Sequence, residues 1–97
     1  MTIYGYARVS TTDQDLTIQE QTLAAAGCTV IRSEKVSGSS TSGRKELQTL
    51  LAFLQRGDVL VVTRIDRLAR SIADLQTIMM ELKAKGAALR CTEQPVD

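Results

Sequence analysis

The 97-residue sequence has no histidine and no tryptophan, and only one phenylalanine, two tyrosines, two cysteines and one proline. Each shortage closes a line of explanation. Without histidine or a close cysteine pair, soft-metal sites lack ligands, and a serine nucleophile has no imidazole to activate it. So few aromatic rings argue against a stacking platform for single-stranded nucleic acid. No apolar run approaches the roughly 20 residues that a membrane-spanning helix needs. A net charge of +1 excludes a polycation that binds polyanions through its bulk field, so any positive patch has to be local. Cys28 and Cys91, in a chain with no signal peptide, read as reduced cytosolic thiols used as small apolar packing residues. No disulfide and no zinc are expected.

What remains is ordinary globular composition, 43% hydrophobic and 24% charged, in a length suited to one domain over residues 1–97. Short apolar runs alternate with helical periodicity. Ile3 to Val9 reads as a first strand. Asp13 to Ala26 follows as a helix with Leu16, Leu23 and Ala26 inward and Gly27 as its stop. Cys28 to Arg32 reads as a second strand, and Val36 to Gly43, VSGSSTSG, as a loop. From Arg44 to Arg56, Leu47, Leu50, Leu51 and Leu54 fall at i, i+3, i+4 and i+7 of an amphipathic helix. Asp58 to Thr63, DVLVVT, reads as a strand buried on both faces. A long helix is expected over Asp66 to Lys85, with Leu68, Ile72, Leu75, Met79 and Leu82 inward, Asp66 at its N-cap and Gly86 at its end. Ala87 to Thr92 reads as a fourth strand. Strands alternating with helices imply a three-layer α/β fold: a mostly parallel sheet of four to five strands flanked by helices.

Parallel strands release their loops at one edge, where ligands bind. That edge would collect Arg8 and Ser10 from strand one, the VSGSSTSGR loop with Arg44 from strand two, and RIDRLAR, residues 64–70, from strand three. Arg8 and Ser10 at i and i+2 share a face of an extended segment. Arg67 and Arg70 at i and i+3 share a helical face, expected in the first turns, where partial positive charge favours an anion. Arg64 and Asp66 join them, with Gln14 and Gln19 on the helix behind the serine. Arginine forks bind phosphate oxygens in pairs and keep their charge. The residues therefore point to phosphoryl transfer, which needs positioning and charge stabilisation more than covalent help. One well-placed donor to a developing charge contributes about 3 to 4 kcal/mol. Several arginines would favour a Ser10 alkoxide, with a carboxylate, water or substrate oxygen taking the proton.

Plainer readings exist for each residue alone. Ser10 would serve as a turn or N-cap residue, Arg67 and Arg70 as a solvated helix face, and the leucine stripe as core. Ile78 and Met80 suggest a second apolar face. Gly38 to Lys45, GSSTSGRK, copies the spacing of a phosphate-binding loop but puts Arg44 where lysine belongs and Lys45 where a hydroxyl should be. Convergence of three loops on one edge favours the functional reading.

The stretches YGYARVST with Asp13, Gln14 and Gln19, then VSGSSTSGRKEL, then GDVLVVTRIDRLARS, resemble the serine site-specific recombinases, the resolvases and DNA invertases. The resemblance runs from Ile3 to about Thr92. It implies that Ser10 attacks a phosphodiester of double-stranded DNA and becomes joined to the 5′ phosphate. It further implies that Arg8, Arg67, Arg70 and Arg44 hold that phosphate, that Asp66 orients them or handles a proton, and that Gln14, Gln19 and Ser37 support them. Rejoining would need neither metal nor nucleotide, and there is no membrane role. The resemblance implies cytoplasmic DNA recombination, with dimers or tetramers in the full-length protein. It departs from the family pattern at Gly43, where many members have an acidic residue, and at Ala69, which replaces a common glycine. Family members usually continue into a dimer-forming helix and a helix-turn-helix DNA-binding domain. The expectation is therefore a catalytic core, weakly active or inactive alone, with little sequence-specific DNA affinity. The competing readings are an inactive DNA-associated assembly or regulatory module on the same fold, and a nucleotide-binding protein using Gly38 to Lys45.

Overall fold

The structure, a computed structural model, describes residues 1–9, 13–35, 45–65, 68–69 and 71–93. In chain order they form β1 (Ile3–Val9), α1 (Asp13–Ala25), β2 (Val30–Lys35), α2 (Lys45–Phe53), β3 (Val59–Val62), α3 (Ile72–Lys85) and β4 (Ala88–Cys91). The described strands make one four-stranded sheet in the order β2-β1-β3-β4, with every pairing parallel. The expected α/β sandwich is thus present.

Two cores fill the two faces. Leu47, Leu50, Leu51 and Leu54, at the spacing expected of an amphipathic helix, pack with Ile78 and Leu82 of α3 against Tyr6, Leu60 and Val62. On the other face Leu23 of α1 packs with Ala7, Val59 and Val61, with Leu16, Ala26 and Cys28 partly buried around them. β3 is buried along its whole length, as a strand sandwiched between helices must be. The crossovers through α2 and α3 run the same way along the sheet and share one face. The crossover through α1 runs the other way and takes the opposite face, as a single crossover handedness requires. Gly5 lets α1's side close in, because a Cβ there would lie 3.0 Å from Cys28 Sγ.

Three expectations are corrected. The long helix begins at Ile72, not Asp66. Ser71, extended at φ −156° and ψ 170°, is its N-cap and accepts a hydrogen bond from the Asp74 N–H at 3.1 Å. Leu68 fits the helical spacing only by coincidence. It is fully buried in a separate turn, in which the Ile65 carbonyl accepts from the N–H groups of Leu68 and Ala69. Ile72, read as core, is 78% exposed, while Ile78, read as part of a second apolar face, is core at 3%. The second strand lies two to three residues later than the apolar pattern suggests. It pairs with β1 from Tyr4↔Val30 to Val9↔Lys35, so backbone pairing to a seven-residue partner carries the polar Ser33, Glu34 and Lys35 into the sheet. Gly86 closes α3 in the left-handed region at φ 75°, its N–H reaching the Leu82 and Lys83 carbonyls.

Candidate functional site

The strand order reverses direction between β1 and β3. From β1 the chain crosses by α1 to β2 on one side, and from β3 it crosses by α3 to β4 on the other. In open parallel sheets the usual ligand position is at the carboxyl ends of the strands beside such a reversal, which here are the ends of β1 and β3. Arg8 is the penultimate residue of β1, and Arg64 lies two residues beyond β3. Arg8 is half-buried and Arg64 exposed.

Two packed groups fix the end of β1. From the α1 side, Gln19, only 4% exposed, donates from Nε2 to the Arg8 carbonyl at 3.1 Å. From the α2 side, Tyr6, fully buried, donates its hydroxyl to Glu34 Oε2 at 2.5 Å. Glu34 is the in-register neighbour of Arg8 on β2. Its Oε1 also accepts the Glu46 N–H at 2.9 Å, and its Oε2 the Leu47 N–H at 3.4 Å, at the start of α2. Arg32 on β2 pairs with Glu46 at 3.4 Å. Beyond β3, Leu68 and Ala69 are buried.

The structure thus brings Arg8 and Gln19 together and puts Arg64 beyond the neighbouring strand. The backbone of Gln14 lies in the first turn of α1. Ser10, Ser37, Arg44, Asp66, Arg67 and Arg70, and the Gly38 to Lys45 mimic apart from Lys45, lie outside the described residues. The helix whose first turns were expected to carry Arg67 and Arg70 is described from Ile72.

Cys28 and Cys91 are both free thiols and belong to opposite faces of the sheet. Burial raises both thiol pKa values; for Cys28 this outweighs the opposing pull of Arg90. Neither is therefore a ready nucleophile. Among the described residues no group of three or more His, Cys, Asp or Glu could hold a metal ion, and no helix is long and apolar enough to cross a membrane.

The family model described as "Resolvase, N terminal domain" matches residues 3–97. The chain belongs to this resolvase family. This resolvase domain is 58% identical over 93 residues to the integrase-like protein y4lS of Sinorhizobium fredii, covering 96% of this chain and 51% of that protein. It is 41% identical over 95 residues to the serine recombinase gin of Escherichia phage Mu (98% and 49% covered). It is 45% identical over 92 residues to the transposon Tn3 resolvase of Escherichia coli (93% and 49% covered). The resolvase domain therefore spans about half the length of these curated relatives. In fold it is similar to a resolvase family site-specific recombinase from Streptococcus pneumoniae. The TM-score is 0.73 at 21% identity, with 100% of this chain and 75% of that one covered.

Sequence reasoning missed Tyr6 and Glu34. Tyr6 carried a signal: it stands two residues before Arg8, on the same strand face, and a buried tyrosine hydroxyl needs a partner. Glu34 carried none, because the second strand was read as ending at Arg32.

Proposed function

We propose that this domain is the catalytic module of a site-specific DNA recombinase, acting on double-stranded DNA. The observation that carries the reading is the parallel β2-β1-β3-β4 order. It sets the strand bearing Arg8 between the strands that feed residues 36–44 and 64–70, where the other candidate arginines lie in sequence. Membership of the resolvase family supports DNA as the substrate at that edge.

In the proposed reaction Ser10 Oγ attacks a backbone phosphorus. A serine–phosphate ester forms, the bond from phosphorus to the 3′ oxygen breaks, the serine proton passes to a base, and the leaving oxygen is protonated to a 3′ hydroxyl. Arg8, Arg44, Arg67 and Arg70 hold the non-bridging oxygens as charge develops, and Asp66 orients them or moves a proton. Gln19 keeps the Arg8 peptide in place through its 3.1 Å bond, with Gln14, Ser37 and Arg64 around it. The reverse attack, by a 3′ hydroxyl on the phosphoserine, rejoins DNA without nucleotide or metal, since the ester keeps the phosphodiester's energy. Strand exchange requires a dimer or tetramer, and the proposed setting is the cytoplasm.

The test places this chain in a chimera, replacing the aligned half of Tn3 resolvase, with supercoiled DNA carrying that resolvase's own sites. A covalent protein–DNA adduct at the 5′ end is expected, and Ser10→Ala should abolish it. An adduct that persists in Ser10→Ala, or none from the unmutated chimera, overturns the proposal.

A further inference from the structure

The described lysines outside the sheet fall at opposite ends of their helices. Lys83 and Lys85 stand in the last turn of α3, where the helix dipole favours a cation, and Lys85 also donates its amine to the Ala52 carbonyl at 3.2 Å. Lys45 is the first residue of α2, where the same dipole opposes positive charge. Its described acidic neighbours are committed elsewhere. Glu46 pairs with Arg32 at 3.4 Å, and Glu34 accepts the Glu46 and Leu47 amides. Gln48 and Thr49 occupy the i+3 and i+4 positions, where a helical acid partner would stand. Among the described residues no carboxylate pairs with Lys45, and the residue is exposed. The domain therefore keeps a cation where its own stability would be better served by a neutral or acidic side chain.

The place of Lys45 in the fold supplies a reason. Helix α2 starts at the carboxyl edge of the sheet, where Glu34, the in-register neighbour of Arg8, reaches its first amides. Those amides are used within the protein, so an anion near this point has to be held by side chains. Lys45 follows directly on Arg44 and begins a helix tied to β2, on one side of the Arg8 strand, while Arg64 lies beyond β3 on the other. With a net charge of +1, attraction to a polyanion rests on such local cations. A lysine is a compact charge that holds a phosphate without a fixed bond geometry, which suits positioning of a nucleic-acid backbone.

We infer that Lys45 is a DNA-backbone contact: it holds a phosphate beside the scissile one, raises the affinity of this edge for the strand, and takes no part in the chemistry. This rests on the recombinase reading of the site. One exposed charge then both weakens the fold and strengthens binding, and a neutral replacement should move the two in opposite directions.

The test uses the Tn3 chimera and DNA carrying that resolvase's own sites. Gel shifts between about 50 and 200 mM salt give the slope of log affinity against log salt, and each phosphate contact contributes about 0.9 to that slope. Lys45→Gln should make the slope shallower by about 0.9 and weaken binding about threefold to tenfold at the low-salt end. Lys45→Arg keeps the charge and should restore both. Single-turnover adduct formation by Lys45→Gln should fall at limiting DNA and recover to within about twofold at saturating DNA, as a binding defect does. Lys83→Gln removes the same charge from the last turn of α3 and should leave the slope as it is. In the 97-residue chain, the urea midpoint of Lys45→Gln should equal or exceed that of the unmutated chain. An unchanged slope in Lys45→Gln, an equal change in Lys83→Gln, a lowered urea midpoint, or a rate that saturating DNA does not restore overturns the assignment while leaving the recombinase reading intact. Failure of that reading shows separately, as an unmutated chimera without adduct, and would take this assignment with it.

Discussion

Helix α2 is held at its two ends by two carboxylates, one at the edge of the sheet that carries no candidate residue and one at the edge proposed for the chemistry. At the amino-terminal edge of the sheet, Asp58 Oδ2 accepts the Gln55 N–H just past the helix at 3.0 Å, and its Oδ1 accepts the Thr2 N–H just before β1 at 2.9 Å. At the carboxyl-terminal edge, Glu34 accepts the first amides of the helix. Both residues tie the same helix to β1. Asp58 does so where the nearby chain carries no candidate chemistry, and Glu34 does so beside Arg8. The bonds of Asp58 should therefore appear as stability, with no effect on the reaction proposed for the opposite edge.

The scale for such a comparison is set by the core between the two edges. Leu60 is fully buried in β3, with α2 and α3 packed over it. Leu60→Ala should cost about 3 to 5 kcal/mol in urea denaturation. A cost under about 1 kcal/mol would mean that the two helices do not seal that face.

Asp58→Asn comes next. The N–H groups of Thr2, first, and Gln55 hold the Asp58 carboxyl below its ordinary pKa, against the opposing effect of burial. The folded state therefore favours the ionised form. Its stabilisation is complete above the unfolded carboxylate value of about 4, and is lost as pH falls from there through the lower folded value. Urea midpoints between pH 7 and pH 3 should fall for the unmutated chain and fall less for Asp58→Asn. In the chimera, adduct formation per folded molecule should be unchanged. A clear rate loss per folded molecule in Asp58→Asn would erase the distinction between the edges.

What could be read from the sequence follows from how local each constraint is. β1 is found with the limits the sequence suggests, and the four leucines of α2 are buried as their spacing requires, because hydrophobic period is a local signal. The turn holding Asp58 is local too, since its bond to Gln55 spans three residues. Glu34 reaches across 12 and 13 residues to α2 and 28 to Tyr6, and no period encodes such a link. The late end of β2 was hidden for the same reason: pairing with β1 decides it, not its own polar side chains. The places of Arg8 in β1 and of Arg64 beyond β3 follow from parallel-sheet topology, which sends every loop to one edge. Six of the ten candidate residues lie outside the described ones, so their convergence rests on that topology and on family membership.

A third effect, smaller again, belongs to the start of α3. Ser71 caps the helix through Asp74, so Ser71→Ala should cost about 1 kcal/mol in the chain. A cost near zero would return the helix start to the earlier position suggested by Asp66.

The smallest effect concerns Ile72, and it discriminates most sharply between spacing and packing. Read along the sequence, Ile72 completes a stripe from Leu68 to Leu82. If a continuous helix carried that stripe inward, Ile72→Ser would open a core defect of about 2 to 4 kcal/mol. In the folded chain the helix begins at Ile72 itself, the turn bearing Leu68 is a separate piece, and the isoleucine is 78% exposed. Ile72→Ser should therefore change the urea midpoint by no more than about 0.5 kcal/mol equivalent. A larger loss would mean that Ile72 is packed in the core and that spacing, rather than the Ser71 cap, marks where this helix begins.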